Sequence, residues 1–325
     1  MENAVKRIGV LTSGGDAPGM NAAIRAVVRA CLYRGIECVG IRRGYNGLIS
    51  GDIERMGAGS VTHILNRGGT ILYTARSDEF RTEAGQARAV ATCKLLGLDG
   101  IVAIGGDGTF RGAEALSKHG ISVVGIPATI DNDIVCTDYT LGFDTASNTA
   151  VDAIDRLRDT MQSHERCSVV EVMGRNAGHL ALYVGLAVGA TAVLMPEIPV
   201  DFEQDVVEKI RRARLNGKTH YMIVVAEGAG SAMAIGDQIQ EALGLNPRVT
   251  ILGHIQRGGT PSARDRVMAT RMGYEAVEVL AAGKTNRVIC SRNGSMVDVD
   301  IEEGLSMKRG LNAQQLAALE AMTGQ

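Results

Sequence analysis

The chain has 325 residues, a formal net charge of −2, 45% hydrophobic residues and 22% charged residues. This length predicts about two domains, and the near-neutral charge creates no field that would favour nucleic acid or a membrane surface. Tryptophan is absent and aromatic residues make up only 3% of the chain, so the stacking platforms of single-strand binding proteins are missing. The composition therefore predicts a globular protein that acts on neither nucleic acid nor membranes.

The features that report on cellular location indicate the cytoplasm. The six cysteines are scattered and none forms a C-x-x-C pair, which argues against a zinc site or a disulfide framework and fits free thiols in a reducing compartment. The first apolar run breaks at Ser13-Gly14-Gly15-Asp16, unlike a signal peptide. The stretch from Ala177 to Met195 has no Asp, Glu, Lys or Arg, but two glycines interrupt it. We therefore expect a buried helix, turn and strand there rather than a membrane span.

Short runs of β-branched residues alternate with helical patterns along almost the whole chain. The predicted strands are Ile8–Leu11, Glu37–Ile41, Ile101–Ile104, Ser122–Ile126, Ser168–Met173, Ala192–Leu194, Tyr221–Ala226, Val249–Leu252 and Arg287–Cys290. The main predicted helices are Met20–Tyr33, Glu83–Leu96, Phe110–Lys118, Thr145–Met161, Phe202–Leu215 and Ala263–Ala282. Because most strands are apolar on both faces, we expect parallel sheets covered on both sides. This alternation predicts an α/β fold with ligands at the carboxyl ends of the strands.

Glycine turns follow three of the predicted strands, at Ser13–Asp16, at Gly105–Gly108 and in the segment before Thr129. Glycine makes up 41 of the 325 residues, against about 7% in average proteins. One such turn can be a plain connection, but three at one sheet edge indicate phosphate binding. The P-loop signature and the dinucleotide fingerprint G-x-G-x-x-G are both absent: the two Gly-Lys-Thr strings lack the upstream glycine, and Arg111 stands where the fingerprint needs its third glycine.

Two carboxylates beside these turns indicate phosphoryl transfer. Asp107 lies within the second glycine turn, where an acid can hold Mg²⁺. Asp131 lies in the segment Pro127–Asp133, after an apolar run, and a second acid can take a proton from an alcohol. A phosphate cradle, a metal-binding acid and a base are what a small-molecule kinase needs.

Several basic residues lie in or beside glycine-rich or strand-end segments, where arginine suits bidentate phosphate contact. Each one taken alone is equally well explained as solvated surface charge. The string His254–Gly259 is a stronger indication of ligand contact, because a histidine and an arginine flank a glycine pair. The arginines concerned are Arg76, Arg81, Arg166, Arg175, Arg248 and Arg257.

Taken together, these motifs resemble those of the bacterial ATP-dependent 6-phosphofructokinases, over nearly the whole chain. The Gly105–Thr109 string alone is also similar to that of NAD kinases and diacylglycerol kinases. The strings at 129–133 and 253–259 are more specific, and they favour the 6-phosphofructokinases over those other kinases. The matching strings are Thr12–Asn21, Gly105–Thr109, Thr129–Asp133, Glu171–Arg175 and Gly253–Gly259.

The resemblance implies an enzyme that phosphorylates D-fructose 6-phosphate at O1, giving fructose 1,6-bisphosphate and ADP, the committed step of glycolysis. It implies that Asp107 holds Mg²⁺ and that Asp131 deprotonates the C1 hydroxyl, with Thr129, Arg175 and Arg76 acting on the transferring phosphoryl. The residues implied to hold ATP are Gly15, Arg76, Ser77, Gly106, Asp107, Gly108 and Thr109. Those implied to hold the sugar phosphate are Thr129, Ile130, Asp131, Met173, Gly174, Arg175, Glu227, His254 and Arg257.

The resemblance also implies an architecture and an assembly. It predicts two three-layer α/β subdomains with mostly parallel sheets and the active site in the cleft between them. Residues 1–142 plus 256–306 would bind ATP, and residues 143–255 plus 307–325 would bind fructose 6-phosphate. In the family the residues that match Arg166 and Arg248 reach the sugar phosphate of a neighbouring subunit, which implies a homo-oligomer, usually a tetramer.

Bacterial members of the family bind ADP or phosphoenolpyruvate in a basic pocket between subunits. The matching cations here are Arg25, Arg29, Arg158 and Lys218, which are otherwise explained as interface or surface charges. Four positions depart from well-regulated members: Ala58 and Gly59 replace an arginine and an aromatic residue, Thr191 replaces an acid, and Asn216 replaces a lysine. We therefore expect weak anion binding with blunted regulation.

Other functions stay open at this stage. Ala128 stands where the ATP-dependent group commonly has glycine and the pyrophosphate-dependent group has lysine, which argues against pyrophosphate without establishing ATP. A kinase for another donor or acceptor, such as pyrophosphate, NAD or a tagatose phosphate, is one alternative. A non-catalytic regulatory or assembly subunit is the other, and the full set Asp107, Thr129, Asp131 and Arg175 argues against it.

Overall fold

The computed structural model describes residues 5–323, which form eleven strands and eleven α-helices. The strands are β1 (Arg7–Thr12), β2 (Glu37–Ile41), β3 (Ile53–Met56), β4 (Gly100–Gly105), β5 (Val123–Pro127), β6 (Cys167–Val172), β7 (Ala192–Leu194), β8 (Tyr221–Ala226), β9 (Arg248–Ile251), β10 (Arg287–Arg292) and β11 (Ser295–Asp300). The helices are α1 (Met20–Tyr33), α2 (Tyr45–Ser50), α3 (Glu83–Leu95), α4 (Asp107–Lys118), α5 (Phe143–His164), α6 (His179–Ala187), α7 (Glu208–Leu215), α8 (Ala232–Leu243), α9 (Ala263–Ala281), α10 (Ile301–Ser306) and α11 (Ala313–Thr323).

The chain forms two compact units, and it passes between them more than once. Among the described residues, the first unit contains 5–129, Ile134–Thr145 and Arg257–Lys308. The second contains the short segment Ile130–Asp133, then Ala146–Gln256 and residues 309–323. Each unit has its own sheet and its own hydrophobic core.

The first unit is built on a seven-stranded sheet with the order β11-β10-β5-β4-β1-β2-β3. The central strands pair in parallel, whereas β3 and β11 pair antiparallel with β2 and β10 at the two edges. The sequence prediction of parallel central strands is therefore confirmed. The two edge strands were not predicted because each is partly exposed and lacks a continuous apolar run.

Close packing between sheet and helices defines the core of the first unit. Strand β4 is buried along its whole length, and the Phe110 ring of α4 lies against Gly125 of β5. A Cβ atom at Gly125 would lie 2.6 Å from the Phe110 ring, so glycine is what allows this approach. Burying a phenylalanine side chain stabilises the fold by roughly 1.5–3 kcal/mol.

The second unit is built on a parallel four-stranded sheet with the order β7-β8-β6-β9. The uncharged stretch found in the sequence forms helix α6 and strand β7, as predicted. Gly185 of α6 packs on Val193 of β7, where a Cβ atom would lie 2.3 Å from a valine methyl group. Between residues 5 and 323, no helix is both long and apolar enough to cross a bilayer.

Candidate active site

The first two glycine turns lie side by side because their strands, β1 and β4, are neighbours in the sheet. The Thr109 hydroxyl donates to the carbonyl of Ser13 at 3.1 Å, and the Ser13 N–H donates to the carbonyl of Ile104 at 3.0 Å. A Cβ atom at Gly105 would lie 2.4 Å from the Ser13 carbonyl oxygen. Glycine at this position is therefore required for the two turns to meet.

The second glycine turn leads directly into α4, which starts at Asp107. Asp107 and Gly108 are exposed, and a Cβ atom built at Gly106 or Gly108 would meet nothing within 4 Å. The N-terminus of a helix presents unpaired backbone N–H groups and positive dipole charge, which favour phosphate. The turn therefore offers an open anion site with one carboxylate beside it.

The donor set around Asp107 fits one kind of metal site. The described residues contain no cluster of three or more His, Cys, Asp or Glu side chains able to hold a metal by themselves. Mg²⁺ usually binds through one or two carboxylates, with substrate phosphates and water as its remaining ligands. A single exposed carboxylate at a phosphate cradle fits Mg²⁺ that arrives with a phosphorylated substrate.

The segment that carries Arg76 and Ser77 is attached to the first glycine turn. The Thr74 hydroxyl donates to the carbonyl of Gly14 at 2.7 Å. The Ser77 hydroxyl accepts from the N–H of Phe80 at 3.2 Å, and the Arg76 side chain is exposed. Arg76 and Ser77 therefore follow, by two and three residues, the point where this segment is bonded to the first glycine turn.

Arg257 also lies on the first glycine turn. Its guanidinium donates to the carbonyl of Asp16 at 3.4 Å, and a Cβ atom at Gly15 would lie 2.9 Å from the same guanidinium. The resemblance implies that Arg257 binds the sugar phosphate together with residues such as Met173. In the structure its guanidinium contacts the turn that carries Gly15.

The segment after β5 carries Thr129 and Asp131. The Ala128 N–H donates to the carbonyl of Gly105 at 3.0 Å, which attaches this segment to the second glycine turn. Asp131 is only 5% exposed. Asn132 has a left-handed backbone, with φ of 50°, and its carbonyl accepts from Arg309. The backbone on both sides of Asp131 is therefore fixed by hydrogen bonds.

His179, at the start of α6, lies in the electrostatic field of this segment. Burial lowers the pKa of His179, and the positive charge of Arg309 lowers it further. The opposing charges of Glu197 and Asp133 raise it by less. His179 is therefore favoured in its neutral form.

A second group of site residues lies at the carboxyl ends of β6 and β8 in the second unit. The Arg175 N–H donates to a Glu227 carboxylate oxygen at 2.6 Å. Gly174 and Arg175 have left-handed backbones, with φ of 139° and 57°. A Cβ atom at Gly174 would also lie 2.4 Å from the Ala177 carbonyl oxygen. The turn therefore requires glycine at 174, and it brings Met173, Arg175 and Glu227 together.

Gln256 is a further candidate site residue that was not predicted from the sequence. Its side-chain oxygen accepts from the Met173 N–H at 2.8 Å, and the residue is fully buried. Its amide nitrogen is also buried and makes no hydrogen bond within residues 5–323. The feature of the sequence that could have indicated Gln256 is its position between His254 and Arg257 in one short string. His254 itself is exposed in the turn that follows β9.

Arg166 and Arg248 lie away from this second group. Arg166 immediately precedes β6, and Arg248 is the first residue of β9, which pairs in parallel with β6 in the register Ser168 to Arg248. Met173 follows the other end of β6. Both arginines therefore lie at the amino ends of the parallel strands, whereas Met173 lies at the carboxyl end.

Two of the predicted effector residues line one small cavity. Arg158, Lys218 and Thr191 line a space of about 80 Å³. His220 lines the same space, although it was not among the predicted effector residues. Arg158 donates to the Val188 carbonyl, and its Nε atom is buried without a hydrogen-bond partner within residues 5–323. The other two predicted residues, Arg25 and Arg29, lie on α1 of the first unit.

Glycine turns at the carboxyl ends of parallel strands, with a carboxylate at a helix N-terminus, are typical of α/β enzymes that bind phosphorylated ligands.

The phosphofructokinase family model matches residues 7–280. The sequence is 54% identical over 310 residues to a protein of Clostridium botulinum named ATP-dependent 6-phosphofructokinase, covering 95% of this chain and 97% of the relative. A Clostridium novyi protein of the same name is 56% identical over 304 residues, with 94% of this chain and 95% of the relative covered.

A solved phosphofructokinase from Saccharomyces cerevisiae superposes with a TM-score of 0.87 at 32% identity. The match covers 98% of this chain and 46% of the yeast chain, so the present chain spans less than half the length of that protein. The chain belongs to the phosphofructokinase family.

Proposed function

We propose that this protein transfers the γ-phosphoryl group of ATP to O1 of D-fructose 6-phosphate, giving fructose 1,6-bisphosphate and ADP, the committed step of glycolysis in the cytoplasm. The observation that carries the proposal is the bond between the Ala128 N–H and the Gly105 carbonyl. This bond attaches the segment that leads to Asp131, the candidate base, to the glycine turn that forms the candidate phosphate site. The relatives named ATP-dependent 6-phosphofructokinase support the donor and the acceptor. All six cysteines are free and buried, which supports a reducing compartment.

The ATP phosphates bind the two neighbouring glycine turns in this proposal. The open space beside Gly106 and Gly108 supports it, because a phosphate chain can approach the backbone N–H groups there. Arg76 offsets charge on the bridging oxygens. The full set of donor-binding residues is Gly15, Arg76, Ser77, Gly106, Asp107, Gly108 and Thr109.

Asp107 would hold Mg²⁺ together with the phosphates. The ion supplies neutralisation of the charge that develops on the transferring phosphoryl. Its exposure at the first turn of α4, beside the open space at Gly106 and Gly108, supports this role.

Asp131 acts as the general base. As a carboxylate, this side chain can accept the proton of the C1 hydroxyl. Its burial, and the hydrogen bonds that fix the backbone around it, support the role, because a base must be held within reach of its proton. Thr129 and Arg175 contact the transferring phosphoryl and stabilise its charge.

The sugar phosphate binds the second group of residues. The bond between the Arg175 N–H and Glu227 supports this assignment, since it holds two residues of that group together at one sheet edge. Arg257, although it contacts the first glycine turn, supplies a cation toward the sugar phosphate. The full set is Thr129, Ile130, Asp131, Met173, Gly174, Arg175, Glu227, His254 and Arg257, with Arg166 and Arg248 of a neighbouring subunit.

The protein acts as a homo-oligomer, a tetramer, whose sugar-phosphate site is completed across an interface. The supporting observation is that Arg166 and Arg248 lie at the amino ends of β6 and β9, whereas Met173 follows the carboxyl end of β6. Within one chain, the length of β6 separates both arginines from the turn that carries Met173. In a neighbouring subunit they can supply the missing cations.

The cavity of Arg158 and Lys218 is the proposed place of a weak effector site between subunits. Arg25 and Arg29 of α1 are the other two cations proposed for that site. ADP and phosphoenolpyruvate are its candidate ligands. Thr191 lines the cavity, and its hydroxyl accepts from the Met222 N–H at 3.2 Å. A hydroxyl engaged in this way is a poor substitute for a carboxylate as a metal ligand, so regulation is blunted.

A donor and acceptor screen tests the proposed function. ATP and pyrophosphate would be compared as donors, and fructose 6-phosphate and tagatose 6-phosphate as acceptors, in matched assays with Mg²⁺. We expect turnover with ATP and fructose 6-phosphate to exceed every other combination. Preference for pyrophosphate would contradict the assigned donor, and preference for tagatose 6-phosphate would contradict the assigned acceptor.

A further inference from the structure

A buried carboxylate outside the proposed catalytic groups, Asp265 near the start of α9, accepts four hydrogen bonds. It is fully buried. One oxygen accepts from the Tyr139 hydroxyl at 2.5 Å and from the Gly142 N–H at 2.8 Å. The other accepts from the N–H of Thr145 at 2.9 Å and from its hydroxyl at 2.5 Å. Burial raises the pKa of Asp265, and the four hydrogen bonds oppose that rise.

These bonds fix the segment Tyr139–Thr145, which connects Asp265 to the Thr129 backbone. The Thr140 hydroxyl donates to the carbonyl of Thr129 at 2.6 Å. The Leu141 N–H donates to the carbonyl of Pro127 at 3.0 Å. The segment held by Asp265 therefore holds Thr129, two residues before Asp131.

The arrangement suits a carboxylate and little else. A carboxylate is an acceptor only, with room for four hydrogen bonds, whereas the amide of asparagine would turn a donor toward donors. Side chains that position a reacting group need to hold it closely, because a displacement of about 1 Å can cost on the order of 100-fold in rate. A buried acceptor that fixes the segment bonded to Thr129 meets this requirement.

We propose that Asp265 is a positioning residue for phosphoryl transfer, acting through Thr140 on Thr129 and so on the placement of Asp131. The inference rests on the proposed role of Asp131 as base. Asp265 itself is fully buried, and no contact with substrate is assigned to it.

The test is a pair of variants and their combination. Asp265→Asn keeps the size of the side chain and removes acceptor capacity, and Thr140→Val keeps the branched shape and removes only the bond to Thr129. We expect each to lower kcat by roughly 10- to 100-fold, with the KM values for ATP and fructose 6-phosphate essentially unchanged. Because both variants break the same series of hydrogen bonds from Asp265 to Thr129, the double variant should be no slower than the slower single variant.

Loss of folded protein is controlled by normalising kcat to the folded fraction, measured by circular dichroism. Asp298→Asn is the matched control: it disrupts a carboxylate that bonds Lys284 and Arg287 in the same unit, far along the chain from Thr129, and should keep wild-type kcat. If Asp265→Asn does not fold, Thr140→Val alone decides. Wild-type kcat in Thr140→Val, or additive losses in the double variant, would overturn the inference.

The proposed base is tested separately in the same assay by Asp131→Ser. If Asp131→Ser keeps its turnover, the base assignment fails, and the positioning inference that rests on it fails with it. If Asp131→Ser loses turnover while Thr140→Val does not, only the positioning inference fails.

Discussion

Arg166 and Met173 lie at opposite ends of the same strand, with the six residues of β6 between them. At about 3.3 Å per residue, the strand separates their backbones by roughly 20 Å. Because this length exceeds that of a fructose 6-phosphate molecule, the role proposed for Arg166 is in the site of a neighbouring copy. The alternative is that Arg166 takes no part in substrate binding.

The first prediction concerns this choice. Removing the guanidinium by Arg166→Ala or Arg248→Ala should raise the KM for fructose 6-phosphate about tenfold or more. In either variant the substrate phosphate loses a charge-assisted contact. Arg211→Ala is the matched control, since Arg211 pairs with Glu203 and Glu208 on the surface; its KM should not change. Light scattering during the assay supplies the decisive comparison: full activity in a monomeric preparation would rule out the shared site.

The second prediction concerns the base. Asp131→Ser should lower kcat by at least about 100-fold, because general-base catalysis typically contributes about 10²–10⁴-fold. The KM for fructose 6-phosphate should change much less, since proton transfer belongs to the transition state. Asp138→Ser, at an exposed carboxylate a few residues along, is the control and should keep its kcat. Near-normal turnover in Asp131→Ser would remove Asp131 from the role.

The third prediction concerns the donor. Gly108→Asp should fold normally, because a Cβ atom at this position meets nothing within 4 Å. The carboxylate would enter the space proposed for the ATP phosphates and repel them, so we expect ATP-dependent activity to be lost. Gly108→Ala adds the Cβ atom without the charge and should keep most of the activity. An active Gly108→Asp enzyme with unchanged KM for ATP would show that ATP does not pass this position.

The fourth prediction concerns regulation. Fructose 6-phosphate saturation curves with and without millimolar ADP or phosphoenolpyruvate should nearly superpose, because Ala58, Gly59, Thr191 and Asn216 remove cations and a metal ligand from an anion site. Lys218→Ala should abolish any small residual shift. A several-fold shift of half-saturation in the wild-type protein would show that other residues, with His220 the first to test, have restored the site.

The sequence predicted the central architecture because buried parallel strands are continuous apolar runs. Strands β3 and β11 escaped prediction because edge strands face solvent on one side and lack such runs. The hydrogen bonds of Gln256 and Asp265 could not be predicted, since their partners are distant in sequence. Met173 lies 83 residues from Gln256, and Tyr139 lies 126 residues from Asp265. Local motifs predict which residue types meet a ligand, but only the fold shows which backbone they hold in place.

The most direct test of the central claim is identification of the product formed by the wild-type protein from ATP, Mg²⁺ and fructose 6-phosphate, followed by ³¹P NMR. The account predicts a new phosphate ester on C1 of a sugar that keeps its ester on C6, formed in step with ADP. Formation of ADP without a second ester on the sugar, or no reaction at all with ATP, would contradict it.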